Sequence, residues 1–322
     1  MSTQLTTYQS VREWREQQMR SVARDHHTLN QFHEQVIYQV VQMAQVRMES
    51  EWGKPPAHFA FFVMGSTARF EQSVWSDQDH GLIYEDGAEP SYFLTLGEEI
   101  SRGLEQAGYA RCDGKVMASN RLWCKSQHEW HEQLERWLDE RSWETIRHFL
   151  TFFDSRVVCG EEDYLDQLKD GLFSYIDKHP AVLKRLIENT SHIKKAVGVF
   201  GQFLVETSGK YSGCLRLKET AFFPYVNALR LLAIYEQVTE TSTLTRFTIL
   251  AKKHQKVAPY ERDFKNLLAL RLRFQANQTD YDSVHYLDMK KLSRADKKQL
   301  KAIIKHGRKL FMNAKEIVEK GC

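Results

Sequence analysis

Between residues 8 and 50, a stretch rich in Gln, Glu, Arg and Met carries Ile37, Val41, Ala44 and Met48 at steps of three and four, with Val36 and Val40 beside them. That period places the apolar residues on one helix face, and Gly53-Lys54-Pro55-Pro56 ends the helix. The pattern then changes. His58 to Met64 is a short apolar run closed by Gly65-Ser66, which predicts a buried strand entering a turn. About two helical turns fit residues 66–74, and His80 to Tyr84 reads as a second strand before the turn-forming Glu85-Asp86-Gly87. Phe93, Leu96, Ile100 and Leu104 predict a helix from Pro90 with Gly108 as its C-terminal cap. Val116-Met117-Ala118 is a candidate third strand. Trp123, Trp130, Leu134 and Trp137 form a helical stripe, and Phe149 to Val158 reads as a helix end followed by a strand from Phe152.

Beyond residue 160 the period is almost wholly helical. Leu183, Leu186, Ile187, Ile193, Val197, Phe200, Phe203 and Leu204 predict one long helix or two, and Leu229, Leu232, Ala233 and Tyr235 another. Ser293-Arg294-Ala295-Asp296 is an S-x-x-D start for a last helix burying Leu300, Ile303, Ile304, Phe311, Ala314 and Ile317. The pattern divides the α+β chain into an N-terminal helical segment (1–52), a mixed domain (53–160) and a helical domain (161–322).

Composition narrows the picture. In 322 residues, 42% hydrophobic and 27% charged positions suit a folded chain, and the net charge of +3 is too small to announce a nucleic-acid or membrane partner. Five cysteines without a C-x-x-C pair suggest neither a disulfide framework nor a zinc site. No apolar stretch reaches the roughly 18 residues of a membrane span, and the polar start has no signal-peptide core, so the expected location is cytoplasmic.

The informative stretch runs from Met64 to Ile83. A strand ending in Gly65-Ser66 at a helix start offers unpaired backbone N–H groups and a hydroxyl to an anion such as phosphate. Asp77 and Asp79 alternate at the start of the next strand, so both carboxylates leave one face, about 7 Å apart along the backbone. Hard oxygen donors at that spacing suit Mg²⁺ with substrate phosphate oxygens filling its shell. The geometry is compatible with a metal-held nucleoside triphosphate and in-line attack on phosphorus.

In this order, strand, Gly-Ser, short helix and D-x-D strand, the pattern resembles the DNA polymerase β-like nucleotidyltransferase superfamily. More narrowly, G-S-x-x-R-x-E-x-x-x-x-S-D-x-D is similar to a bacterial nucleotidyltransferase family related to the N-terminal catalytic domain of PII-uridylyltransferase. Pro55-Pro56, Val116 to Asn120 with Trp123 and Trp130, Phe153 to Arg156 with Gly160, Leu217-Lys218, and Leu270-Arg271-Leu272 with Gln275 extend the likeness over most of the chain. Ala68 stands where that family usually has glycine, and Phe70 where it often has a small residue.

The resemblance implies a polymerase β-like domain with N-terminal helices and a C-terminal helical bundle that binds the substrate. It implies that Gly65, Ser66 and Arg69 hold the triphosphate, that Asp77 and Asp79 bind Mg²⁺ or Mn²⁺, and that Asp154 is the third carboxylate of catalysis and metal binding. Asp113, in a Cys-Asp-Gly turn, reads as a turn former. Lys218 and Arg230 are candidates for an anionic substrate. The implied reaction transfers a nucleoside monophosphate from ATP or UTP to a hydroxyl of a protein or small-molecule acceptor. Glu71 reads as a structural partner of Arg69, and Arg156 as a partner for a carboxylate or a phosphate.

Other readings have less behind them. His128 and His131 lack a third ligand, and Gly198-Val199-Phe200-Gly201 reads as a close helix crossing. From residue 284 onward, eleven Lys or Arg face four Asp or Glu, which supports a rival: a non-catalytic nucleotide-sensing or RNA- or protein-binding module. The cations fall mainly opposite the apolar stripe and aromatic interleaving is weak, which weighs against nucleic acid.

Overall fold

The computed structural model describes residues 5–275 and 281–321 and resolves two compact units, Met1–Tyr175 and Ile176–Cys322. The first opens with α1 (Tyr8–Val22) and α2 (His26–Trp52). Thr7 caps α1 in a capping box, Asp25 caps α2, and the chain leaves α2 at Gly53. One continuous helical pattern is therefore two helices, because Asp25 supplies a new N-cap. Then follow β1 (Phe59–Val63), α3 (Gly65–Ala68), β2 (His80–Tyr84), α4 (Pro90–Gln106), β3 (Cys124–Ser126), α5 (Gln127–Glu140), α6 (Trp143–Phe153), β4 (Arg156–Gly160) and α7 (Glu162–Lys178), which runs across the unit boundary.

The four strands make one sheet in the order β3-β2-β1-β4. β1 pairs antiparallel with β2 and β4, and β2 pairs parallel with β3. β1 is covered on both sides, which explains its unbroken apolar run. Phe61 and Val63 enter a core with Val36, Val40 and Ala44 of α2 and Phe93, Leu96 and Ile100 of α4. Phe62 faces the other way, 5.7 Å from the Trp130 ring of α5 and 5.8 Å from Phe152 of α6. Gly81 lies in β2 because a Cβ there would meet Phe62 Cζ at 2.3 Å and the Trp123 carbonyl at 2.7 Å.

Several local expectations change. Val116 to Ala118 is not a strand; the third strand is Cys124–Ser126. The segment after β1 forms one helical turn. α6 continues to Phe153 and β4 starts at Arg156, so Asp154 is a helix C-cap and not a strand residue.

In the second unit, α8 (Ala181–Thr190) is followed by β5 (Cys214–Arg216), a π-helical turn (Lys218–Phe222), α9 (Phe223–Tyr235), α10 (Thr243–Lys253), α11 (Glu261–Gln275), β6 (Tyr286–Asp288) and α12 (Arg294–Lys320). β5 and β6 pair antiparallel. The helix expected to continue to Leu204 stops at Thr190, whose hydroxyl, with that of Ser191, returns to carbonyls of the last turn. Residues 196–204 fold back instead, through Leu204 N to Ala196 O and Gly198 N to Gln202 O, both 2.8 Å. Val199 and Phe200 stand exposed at the tip, so the Gly198–Gly201 segment is a turn and not a helix crossing. The Ser293–Asp296 capping box starts α12 as expected. Gly307 of α12 lies tight against Tyr225 of α9, whose hydroxyl donates to Ile303 O at 2.7 Å.

Candidate functional site

β1 delivers the chain to Gly65 with φ +60°, the left-handed region that favours glycine. The first intrahelical bond of α3 is Ala68 N to Met64 O, so the N–H groups of Gly65, Ser66 and Thr67 precede any intrahelical partner. A Cβ at Gly65 would lie 2.2 Å from Asp79 Oδ2. The absent side chain is the space that lets the Asp79 carboxylate lie against the turn.

Residues 76–80 are extended, with Ser76, Gln78 and His80 buried and Asp77 and Asp79 half-exposed. This alternation sends the two carboxylates to one side. Met64 N donates to Asp79 O at 2.8 Å, which ties the segment to the end of β1. The buried side is locked by Gln78, which donates to the carbonyls of Ser101 and Tyr109 and meets His80 Nε2 at 3.1 Å. His80 Nδ1 accepts from Ala118 N, and burial, with Arg111 nearby, pushes its pKa down to about 3.

The third group here is Cys112. One ligand atom each from Asp77, Asp79 and Cys112 lie within 4.8 Å of one another. The loop that carries Cys112 is stitched to the aspartate segment by Ala110 N to Ser76 O, Gln78 N to Ala110 O and His80 N to Val116 O. Burial, then the Asp79 carboxylate, pushes the Cys112 thiol up to about 12. Sequence reasoning missed this residue because long-range pairing, the Asp77–Ala110 bridge and the His80–Val116 bond, brings it near. Asp113 lies exposed in the turn closed by Lys115 N to Cys112 O.

Arg69 and Asp154 are placed together, in a different arrangement. Arg69 Nε donates to Glu71 at 3.0 Å and Nη1 donates to Asp154 at 3.0 Å, with all three side chains buried. Burial works against the charged guanidinium, but the two carboxylates outweigh it and hold its pKa above the ordinary range. Asp154 thus meets Arg69, while the donors within 4.8 Å of one another are, among the described residues, Asp77, Asp79 and Cys112. Phe70 has φ +55° and its ring lies 4.1 Å from the Arg156 guanidinium, which donates to Glu34 at 2.5 Å.

The N-terminal helices hold the loop between Gly65 and Asp77. Asn30 Oδ1 accepts from Gln72 N, His33 Nε2 bonds Ser73 O, and Arg15 donates to Val74 O. These three buried polar residues were not singled out from sequence, although a polar residue on an apolar helix face is the signal that could have found them. A carbonyl only accepts, so His33 carries its proton on Nε2 and accepts from the Tyr109 hydroxyl through Nδ1. Burial and Arg15 push its pKa down to about 3.

In the second unit, Lys218 begins the π-helical turn and Arg230 lies on α9, where it donates to Asn227 at 3.1 Å. Both are partly exposed. His128 and His131 stand on the exposed face of α5 beside Glu132 and Glu135. No helix among the described residues is long and apolar enough to cross a membrane.

Two carboxylates beside a turn whose first N–H groups precede any intrahelical partner suit a divalent cation and a phosphate chain together. Residues 6–144 match the family model described as "Putative nucleotidyltransferase DUF294", and residues 180–316 match the one described as "Putative nucleotidyltransferase substrate binding domain". A search of curated proteins finds no match.

Proposed function

Since the chain belongs to the DUF294 nucleotidyltransferase family and carries that family's substrate-binding domain, we propose that it transfers a nucleoside monophosphate from a triphosphate to an acceptor hydroxyl, with release of pyrophosphate. The observation that carries this reading is the Asp79 carboxylate lying against the Gly65 turn with Asp77 beside it.

In this reading Gly65 and Ser66 bind the phosphate chain through their N–H groups and the Ser66 hydroxyl, and Asp77 and Asp79 hold Mg²⁺ or Mn²⁺. A bound divalent ion supplies charge neutralisation at the phosphates and activation of the attacking oxygen. Arg69 acts as a positioning residue: two carboxylates already balance its charge, and Asp154 fixes it and the turn it ends. Lys218 and Arg230 supply cations to an anionic acceptor. We take the triphosphate to be ATP or UTP and the acceptor to be a protein or small-molecule hydroxyl, similar to PII uridylylation.

The test is incubation of the purified chain with each labelled triphosphate, Mg²⁺ or Mn²⁺ and a cell extract. Label should enter one product class with one nucleotide, and Asp77→Asn and Asp79→Asn should each lower incorporation by roughly 10²-fold or more, as loss of charge stabilisation does. Triphosphate binding that persists in both variants, with label in no product, would replace transfer by nucleotide sensing.

A further inference from the structure

The Cys112 thiol is the group beside the aspartate pair that the transfer reaction does not require. Its backbone is fixed from both sides: Ala110 pairs with Ser76 and Gln78 before it, and Val116 accepts from His80 after it. The loop therefore holds the sulfur beside Asp77 and Asp79, where the thiol hydrogen-bonds the Asp79 carboxylate. Three donors on one first-row ion sit about 2.0–2.3 Å from it and so stand roughly 3–4 Å from one another. The observed spread, within 4.8 Å, reaches that spacing by closing about 1 Å, within the reach of side-chain rotation.

We propose that Cys112 is a third ligand of the cation held by Asp77 and Asp79, and that it sets the site's metal preference toward thiophilic divalent ions such as Mn²⁺, Co²⁺ and Zn²⁺ over Mg²⁺. The inference rests on the metal-binding reading of the two aspartates. Its physical basis is ligand softness: two carboxylates alone favour hard ions, whereas a thiolate adds affinity for the softer ones and little for Mg²⁺. As the metal–sulfur bond forms, the S–H proton leaves to solvent and no electron is transferred.

The experiment titrates Co²⁺ into the whole 322-residue chain without nucleotide and records the near-ultraviolet sulfur-to-cobalt charge-transfer band, which carboxylates do not produce. Wild type and Cys214→Ser should show the band, and Cys112→Ser and Cys112→Ala should lack it. Calorimetry should show Co²⁺ affinity falling by roughly 10-fold or more in both Cys112 variants, the range expected when a tuning group is removed from a metal site, with Mg²⁺ affinity changed far less. Far-ultraviolet circular dichroism establishes that the variants fold. Co²⁺ binding that depends on Asp77 but gives no band overturns the inference and leaves the proposed transfer standing. Absence of both Co²⁺ and Mg²⁺ binding overturns it together with the metal reading beneath it.

Discussion

Replacing Gly65 by alanine adds one methyl group where the Asp79 carboxylate now lies. The new Cβ would sit 2.2 Å from Asp79 Oδ2, about 1.2 Å inside the 3.4 Å at which ordinary contact begins, while Asp79 Cγ at 3.2 Å is nearly tolerable. The Asp79 backbone cannot retreat freely, because its carbonyl accepts from Met64 N at 2.8 Å. The carboxylate must therefore rotate off the turn by about 1 Å. The φ of +60° at position 65 adds strain of roughly 1–2 kcal/mol for any L side chain. The expected result is a modest loss of stability with a large loss of function: urea unfolding shows a fall of roughly 1–2 kcal/mol, while a misplacement near 1 Å lowers transfer on the order of 10²-fold.

Metal linkage separates the two effects. At a metal concentration one hundred times the wild-type Kd, binding stabilises the fold by about 2.7 kcal/mol. If Gly65→Ala weakens binding a hundredfold, the same concentration contributes only about 0.4 kcal/mol. The assay is denaturant unfolding with and without Mn²⁺, paired with labelled-nucleotide transfer. A variant that keeps the full Mn²⁺ stabilisation and transfers within threefold of wild type would refute the claim that the bare turn exists to seat Asp79.

Two further outcomes test the scaffold around the site. Arg69→Met leaves Glu71 and Asp154 buried without their shared cation, and unfolding should show a loss of about 3–5 kcal/mol; a loss under 1 kcal/mol would mean the three groups do not act as one unit. Stability should also fall with acid through the buried histidines. His33 and His80 have folded pKa values pushed down to about 3, below the unfolded value near 6.5, so the unfolded chain binds the extra protons and their contribution is complete above about pH 6.5 and lost as pH falls toward 3. Each adds a slope of roughly 1.4 kcal/mol per pH unit in that window. His33→Gln should remove one such increment from urea-derived stabilities between pH 6 and 4, and an unchanged slope would show that His33 is not held neutral.

The chain's local grammar was legible without a structure wherever one segment supplies its own reason. The two-sided burial of β1 can be read in Phe59 to Val63, the cap of α12 in Ser293 to Asp296, and the same-side projection of Asp77 and Asp79 in their two-residue period, although the strand itself begins only at His80. Where the reason is a distant partner, the reading failed or stayed silent. Asp154 fits a strand pattern by sequence, yet its buried carboxylate answers the Arg69 guanidinium, and α6 ends there. The apolar spacing from Ile193 to Leu204 suits a helix, but the chain turns back through Gly198 and Gly201 and leaves Val199 and Phe200 exposed.

Sequence by itself determined the kind of fold, the Gly-Ser turn and the acidic pair, because hydrophobic period and turn chemistry act between near neighbours. Only the tertiary structure decided that Cys112 joins the aspartates, that Asp154 joins Arg69, and that Arg15, Asn30 and His33 hold the loop between the turn and Asp77. Those contacts depend on strand pairing and on burial of charge and hydrogen-bonding groups across tens of residues, quantities that no single stretch of chain contains.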